Sequence, residues 1–451
     1  MKKVLNSVLL ILIVFPMFMF CTACGTDIEE SQVLSIEKTA TAGYVDTYTI
    51  TYSDGKTYSF NVTNGQSYDI EDIYQSAVSA GFQGTFLEFL ETYLSYDEEQ
   101  SALSINKSLL SVVSVYSKFT GTQTYMQMGR IYSKEVEYTS AGSGVIYSLD
   151  KAKGNAYIIT NYHVVYDVDS KQEDGISDNI SIYLYGSESS EYAINATFFG
   201  GSMNYDIAVL KVENSEFLKN SDAVQVEIAN SNDIVVGEKA IAIGNPEALG
   251  ISVTSGIVSV DSEYISMTSL DEQSTISQRV IRIDAAVNSG NSGGGLFNSD
   301  GLLIGIVNAK LSDNEIENIA YSIPSNVVSN IVQNIIANDG SFKRLILGLT
   351  IESKNSRSVY DSKTQKVSIV EDVLISSVEE NSLASELGFC ADDKVLSISI
   401  NNQEIDVSRK FQMIEYLYQA KENDNVLIKV ERNSEEKDIS FVVSGDNLEL
   451  Y

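Results

Sequence analysis

Asp284-Ala285-Ala286-Val287-Asn288-Ser289-Gly290-Asn291-Ser292-Gly293-Gly294-Gly295-Leu296 is the stretch on which the reading of this chain turns. Glycines crowd both sides of Ser292, and they let the backbone take a tight turn that residues with a Cβ resist. Such a turn can aim the amide hydrogens of Gly290 and Ser292 at one point, as a developing oxyanion requires. A Gly/Ser-rich segment alone reads as a flexible linker. Here, however, Arg279–Ile283 and Leu302–Val307 on either side are strand-like, so the turn belongs to a sheet.

Working outward, Asn204-Tyr205-Asp206-Ile207-Ala208-Val209-Leu210 sets an acid at the mouth of an apolar strand, a place where an aspartate is ordinarily a turn or cap residue. The single histidine of the chain stands in Thr160-Asn161-Tyr162-His163-Val164-Val165. Any mechanism that needs a proton shuttle near neutrality therefore has one candidate.

The order His163, Asp206, Ser292 within Thr-Asn-x-His-Val, Asp-Ile-Ala-Val-Leu and Gly-Asn-Ser-Gly-Gly resembles the HtrA (Deg) family of trypsin-like serine proteases. Three further segments agree with it: Ser143-Gly144-Val145-Ile146, Gly244-Asn245-Pro246 with Thr254 to Ser259, and Ala320 to Pro324. The resemblance implies a catalytic triad with Ser292 as nucleophile, His163 as general base and Asp206 holding the imidazole. It implies an oxyanion hole from Gly290, Asn291 and Ser292, and a specificity pocket lined by Val287 and Leu311 that favours small or medium aliphatic side chains. Asp284 is read as ordering the loop. Gly295 stands where the family often has Pro or Ala.

Short apolar runs punctuated by Gly, Asn, Asp and Ser over residues 105–338 predict a mainly β fold, a double β-barrel that the family resemblance implies is chymotrypsin-like, closed by a helix over Ser325–Ile336. Residues 341–451 predict an α+β unit, with a short helix ending at Gly388 and an amphipathic helix over Arg409–Ala420, and this unit resembles a PDZ domain by its place after the protease segment. In that resemblance Ile346, Leu347, Gly348 and Leu349 form the loop that binds a peptide carboxylate, and the Arg409–Ala420 helix walls the groove. Cys390, in Gly388-Phe389-Cys390-Ala391, is expected to be a small buried residue.

Residues 1–24 form a separate segment. Lys2 and Lys3 precede an apolar run, Val8 to Phe20, and then Cys21-Thr22-Ala23-Cys24-Gly25. This resembles a bacterial lipoprotein signal, in which Cys24 is lipidated and anchors the chain outside the cytoplasm. An uncleaved transmembrane anchor and an ordinary secretory signal are the other readings of the same run. Residues 25–104 are acidic, with fourteen Asp or Glu against two Lys over 27–105. Alternation at Thr47–Tyr52 and Thr57–Val62 around Asp54-Gly55 predicts a β-hairpin, and helices are expected over Asp69–Ala80 and from Thr85 to Leu94. The stretch resembles small modules of Gram-positive surface and phage proteins, and reads as a spacer.

Composition bounds the rest. A net charge of −32 from 62 acidic and 30 basic residues argues against nucleic acid, whose phosphates need a basic face. It also means that membrane attachment needs a hydrophobic or covalent anchor. With Cys21 and Cys24 assigned to the signal, Cys390 has no partner for a disulfide. Nothing in the sequence clusters Cys and His as a zinc site would, and no cofactor is called for. The implied partners are unfolded or damaged exported polypeptides and peptide C-termini, and the implied assembly is a homotrimer whose loops switch between inactive and active arrangements, with mobility expected at Ser140–Ser143, Ile265–Arg279 and Leu311–Asn318. A peptide-binding chaperone and a narrow regulatory protease are the competing readings.

Overall fold

The computed structural model describes residues 33–42, 45–52, 55–63, 74–75, 78, 98–127, 130–187, 189–309, 319–362 and 364–450. They fall into two compact units, Met1–Ser95 and Tyr96–Tyr451.

In the first unit the expected hairpin is present, as strands β2 (Val45–Tyr52) and β3 (Thr57–Thr63) in register from Val45↔Thr63 to Thr51↔Thr57. A further strand not read from the sequence, β1 (Val33–Ala42), pairs with β2. The hydroxyls of Thr39, Thr49 and Ser59 bond across the three strands at 2.9 and 2.7 Å. Most of the two helices expected between Asp69 and Leu94 lies outside the described residues.

The second unit opens with helix α1 (Glu98–Ser108) and then builds two closed barrels. The first comprises β4 (Val112–Gln127), β5 (Arg130–Asp150), β6 (Asn155–Thr160), β7 (Asn179–Leu184), β8 (Ile194–Ser202) and β9 (Ile207–Val212), closed by pairing of β7 with β4. The second comprises β10 (Lys239–Gly244), β11 (Ser252–Thr268), β12 (Thr275–Ile283), β13 (Gly295–Phe297), β14 (Leu303–Asn308) and β15 (Ala320–Pro324), closed by pairing of β10 with β13. Closure leaves no unpaired edge and lets each barrel fill its interior with its own inward side chains. Val113, Ile146, Ile158, Ile182 and Leu210 fill the first; Val258, Ile281, Leu296, Ile304 and Val307 fill the second. A third cluster joins the barrels, in which Val112, Ile159 and Val209 meet Ile241, Phe297 and Ile306.

The closing helix, expected over Ser325–Ile336, runs Ser325–Ala337 and lays Val328, Ile331, Val332 and Ile335 into that inter-barrel cluster. The remaining strands are β16 (Lys343–Leu345), β17 (Leu349–Asp361), β18 (Lys366–Val378), β19 (Lys394–Ile400), β20 (Gln403–Asp406), β21 (Asn425–Arg432), β22 (Glu435–Val442) and β23 (Leu448–Leu450). β16 and β23 pair with each other, and the rest make a sheet of order β17-β18-β19-β21-β22, with β20 beside β19, over a core of its own that includes Val373, Val395, Ile398 and Ile428. The helix expected over Arg409–Ala420 is α-helical over Lys410–Tyr416 and tightens to a 3₁₀ turn at Leu417–Gln419.

Cys390 is exposed, against the expectation of burial. Phe389 beside it takes the buried position at 4% exposure, which leaves the cysteine facing outward. The segments Ser140–Ser143 and Ile265–Arg279, read as switching loops, lie largely in regular strand, within β5 and across β11 and β12. Leu311–Asn318, read the same way, lies outside the described residues. Among the described residues no helix is long and apolar enough to cross a membrane.

Candidate active site

His163 follows β6 directly, on the single helical turn Tyr162–Val165. Its imidazole Nδ1 lies 2.7 Å from Asp206 Oδ2, and its backbone N–H donates to Asp206 Oδ1 at 2.9 Å. An ionised carboxylate only accepts, so this contact places the proton on Nδ1 and leaves the Nε2 lone pair available. Asp206 is fully buried and sits just before β9 in the left-handed region, at φ 52°. That conformation carries a cost of order 1 kcal/mol or more for a residue with a Cβ. It is tied down on both sides: Asn161 Nδ2 donates to the Asp206 carbonyl at 2.9 Å, and the Asp206 amide donates to Met203 O at 3.2 Å.

The other barrel meets this pair through two consecutive residues at the end of β14. Asn308 Nδ2 donates to Asp206 Oδ2 at 2.7 Å, and the Ala309 N–H donates to the Ser292 hydroxyl at 3.1 Å. The carboxylate from the first barrel and the serine from the second are thus held by neighbouring groups of one strand end. Among the described residues, the Ser292 hydroxyl bonds to Ala309 and not to the imidazole. Neither Asn308 nor Ala309 was singled out from the sequence. The available signal was a polar residue ending the apolar run Leu302–Val307, which folding then buries completely.

Ser143, on β5, organises the serine turn. Its amide donates to Ser292 O at 2.8 Å, its hydroxyl donates to Gly290 O at 2.7 Å and accepts from Asn245 N at 2.8 Å, and its carbonyl accepts from Thr160 Oγ1 at 2.7 Å. The packing leaves no room for a Cβ at Gly293, where one would lie 2.2 Å from Ser143 O and 2.3 Å from Thr160 Oγ1, at a φ of +83°. Gly290 has φ +95° in the turn closed by Asn291 N–H to Asn288 O at 3.0 Å. Positive φ at the third residue of such a turn suits glycine. The Ser289 carbonyl accepts from Glu247 N at 2.8 Å. Because the peptide is trans, the Gly290 N–H points the opposite way, and neither it nor the Ser292 N–H meets an acceptor among the described residues. Asn291 is buried beside Gly244.

Asp284 accepts the Ile257 N–H at 2.6 Å and ties the approach to the turn to β11. Val287 is half-buried against the cluster of Ala285, Leu296 and Val307, whereas Leu311 lies outside the described residues. At the start of the C-terminal sheet, Gly348 is left-handed at φ +73°, and the Gly348 carbonyl accepts from Glu379 N and Ser382 Oγ. The Ile346 amide is already spent on Asn447 O, which leaves the Leu347 and Gly348 amides without an acceptor among the described residues. Among the described residues no cluster of metal-ligating side chains occurs.

Two closed barrels with these hydrogen-bonded residues between them define the trypsin-like class, and the family model "Trypsin-like peptidase domain" matches residues 142–306. Serine protease Do-like HtrA of Bacillus subtilis is 34% identical over 315 residues, which is 67% of this chain and 63% of that protein. Serine protease Do-like HtrA of Lactococcus lactis subsp. lactis is 31% identical over 325 residues, covering 70% of this chain and 73% of its own length. A probable periplasmic serine endoprotease, DegP-like, of Rickettsia prowazekii is 28% identical over 391 residues, 86% of this chain and 68% of that protein. Among solved structures, the HtrA-type protease AlgW with tripeptide aligns at a TM-score of 0.49 and 23% identity, over 77% of this chain and 97% of that one. The chain belongs to the HtrA, or Do-like, family of serine proteases.

Proposed function

We propose that the chain is an extracytoplasmic serine endopeptidase that hydrolyses unfolded or damaged exported polypeptides. The observation that carries the reading is the pairing of His163 Nδ1 with a buried, triply N–H-bonded Asp206 carboxylate, bridged through Asn308 and Ala309 to Ser292. In this mechanism Ser292 Oγ leaves the Ala309 amide, gives its proton to His163 Nε2 and attacks the scissile carbonyl. Asp206 stabilises the imidazolium and keeps the ring in its useful tautomer. The Gly290 and Ser292 amides receive the oxyanion, at about 3–4 kcal/mol per donor. Asn291 shapes this turn, and Val287 with Leu311 lines an uncharged pocket for small or medium aliphatic side chains. His163 then passes the proton to the leaving amine, and water repeats the cycle on the acyl-enzyme.

The C-terminal unit acts as a PDZ-like module. Its strand β17 is a sheet edge, and the Lys410–Tyr416 helix shares a core with Leu349 and Ile351 on that strand. A peptide end adds to this edge, with its carboxylate at the Ile346–Leu349 loop through the unspent Leu347 and Gly348 amides. Export and anchoring are assigned to residues 1–24, with lipid on Cys24.

The test uses the full chain and a fluorophosphonate probe. Wild-type protein is expected to label and to degrade casein, and Ser292→Ala to do neither. Labelling retained in Ser292→Ala rules out the proposed nucleophile.

A further inference from the structure

β4 and β5 pair without a break from Val112↔Val145 to Gln127↔Arg130, well past the barrel they help to close. Phe119, 1% exposed and stacked on Tyr138, is the outermost large apolar side chain that the barrel buries on this ribbon. Beyond it, Lys171 bonds Glu135 at 2.9 Å and its amide bonds Thr120 O at 2.8 Å. From Glu135 to Arg130 the ribbon then reaches roughly 16 Å further, at about 3.3 Å per residue.

That reach ends in large apolar side chains. Met126 is 74% exposed, Ile131 71%, Tyr125 43% and Tyr132 42%. Register puts Met126 opposite Ile131 on one face and Tyr125 opposite Tyr132 on the other, with the tyrosine rings stacked at 5.8 Å. An antiparallel ribbon commonly keeps its large apolar groups on one packed face, whereas this tip exposes large side chains on both. Arg130 and Lys134 share the tyrosine face by alternation, and neither pairs with an acid among the described residues. In a chain of 62 acidic residues, no Asp or Glu occurs between Glu99 and Glu135, while Lys107, Lys118, Arg130 and Lys134 all fall there.

We propose that the β4–β5 tip is a membrane-contacting device that inserts Tyr125, Met126, Ile131 and Tyr132 into the headgroup region of an anionic bilayer, with Arg130 and Lys134 on the lipid phosphates. Amphipathic aromatic rings and cationic side chains around an apolar tip are what a lipid–water interface selects. At that depth water still reaches the ribbon's backbone edges, so no closed barrel is needed. The acid-free composition answers the difficulty that the body's charge of −32 poses at an anionic surface. An acidic face of a second copy would satisfy the cations but cover one face of a two-faced tip, whereas a fluid interface surrounds both.

The chain contains no tryptophan, so Met126→Trp provides a single fluorescent reporter in the full-length protein. In proteoliposomes containing phosphatidylglycerol, the indole emission of the Met126→Trp variant is expected to shift to the blue and to be quenched by acyl-brominated lipid. Val236→Trp, at another exposed position, is expected to do neither. Arg130→Gln with Lys134→Gln should lower the ratio of inserted to free tip about twenty-five-fold, at about fivefold per cation. Solution-like emission in the liposomes overturns the proposal, as does equal quenching in purely zwitterionic lipid. A blue shift in lipid-free detergent solution that grows with protein concentration overturns it in favour of a second copy.

Discussion

Replacing Glu415 by alanine tests how the C-terminal sheet is fastened to the barrels. Glu415, on the Lys410–Tyr416 helix, receives Arg279 Nε and Nη2 from β12, the second bond at 2.8 Å, and both residues are 5% exposed. The Phe411 ring lies 3.9 Å from the guanidinium carbon, and Arg409 of the same segment pairs with Asp261 on β11. Burial pushes the Glu415 carboxyl up, against the pull of the Arg279 charge and its two bonds. Removing the carboxylate leaves a buried guanidinium without its counter-charge, a change that costs about 3–5 kcal/mol. With an unfolding entropy of about 2.1 cal/mol/K per residue, 4 kcal/mol over a unit of this size lowers Tm by about 5 °C. Scanning calorimetry of the full chain is the assay. The C-terminal core is distinct from the inter-barrel core, so the variant is also expected to show a broadened or divided transition as the sheet undocks first. Arg279→Met with Glu415→Leu should recover most of the loss, because an apolar pair of similar volume carries no desolvation penalty. A Tm change under 1 °C for Glu415→Ala, or a double variant less stable than the single, refutes the account.

Asn308→Ala removes one donor to the Asp206 carboxylate and touches no substrate; kcat is expected to fall roughly tenfold to a hundredfold with KM nearly unchanged, as steady-state peptide hydrolysis will show. Gly293→Ala should abolish hydrolysis and destabilise the protein, since its Cβ would press on Ser143 O and Thr160 Oγ1; a folded, active variant in a thermal-shift and casein assay contradicts the packing described. Asp393 is fully buried, and although burial raises its carboxyl, two bonds from Arg432 and the Cys390 amide bring it below the ordinary value of 3.8. A depressed carboxyl stabilises the fold above its unfolded value and loses that contribution as pH falls through its folded one. Acid titration should therefore destabilise the wild type from about pH 4 downwards, with a shallower slope in Asp393→Asn.

Much of the site was legible because its demands are local. A run of glycines around one serine declares a backbone that must turn tightly with positive φ, and Gly290 and Gly293 do so. A lone histidine after one strand and an aspartate before another declare two polar groups at strand ends, and the antiparallel pairing of β6 with β9 brings those ends together. What escaped the reading depends on partners more than a hundred residues away. Asn308 donates to Asp206, Ser143 to Gly290, and Arg279 to Glu415, across separations of 102, 147 and 136 residues. No periodicity or turn signal encodes such pairings.

Strand pattern, turn chemistry and the serine loop therefore follow from the chain's own residue order, since φ preference and side-chain alternation act over a few residues. Which buried polar groups meet, which neighbour takes the core position at Phe389–Cys390, and how far the β4–β5 ribbon runs beyond its barrel are decided by tertiary packing. Those outcomes depend on register, and on which side chain wins a place against surfaces brought up from elsewhere in the molecule.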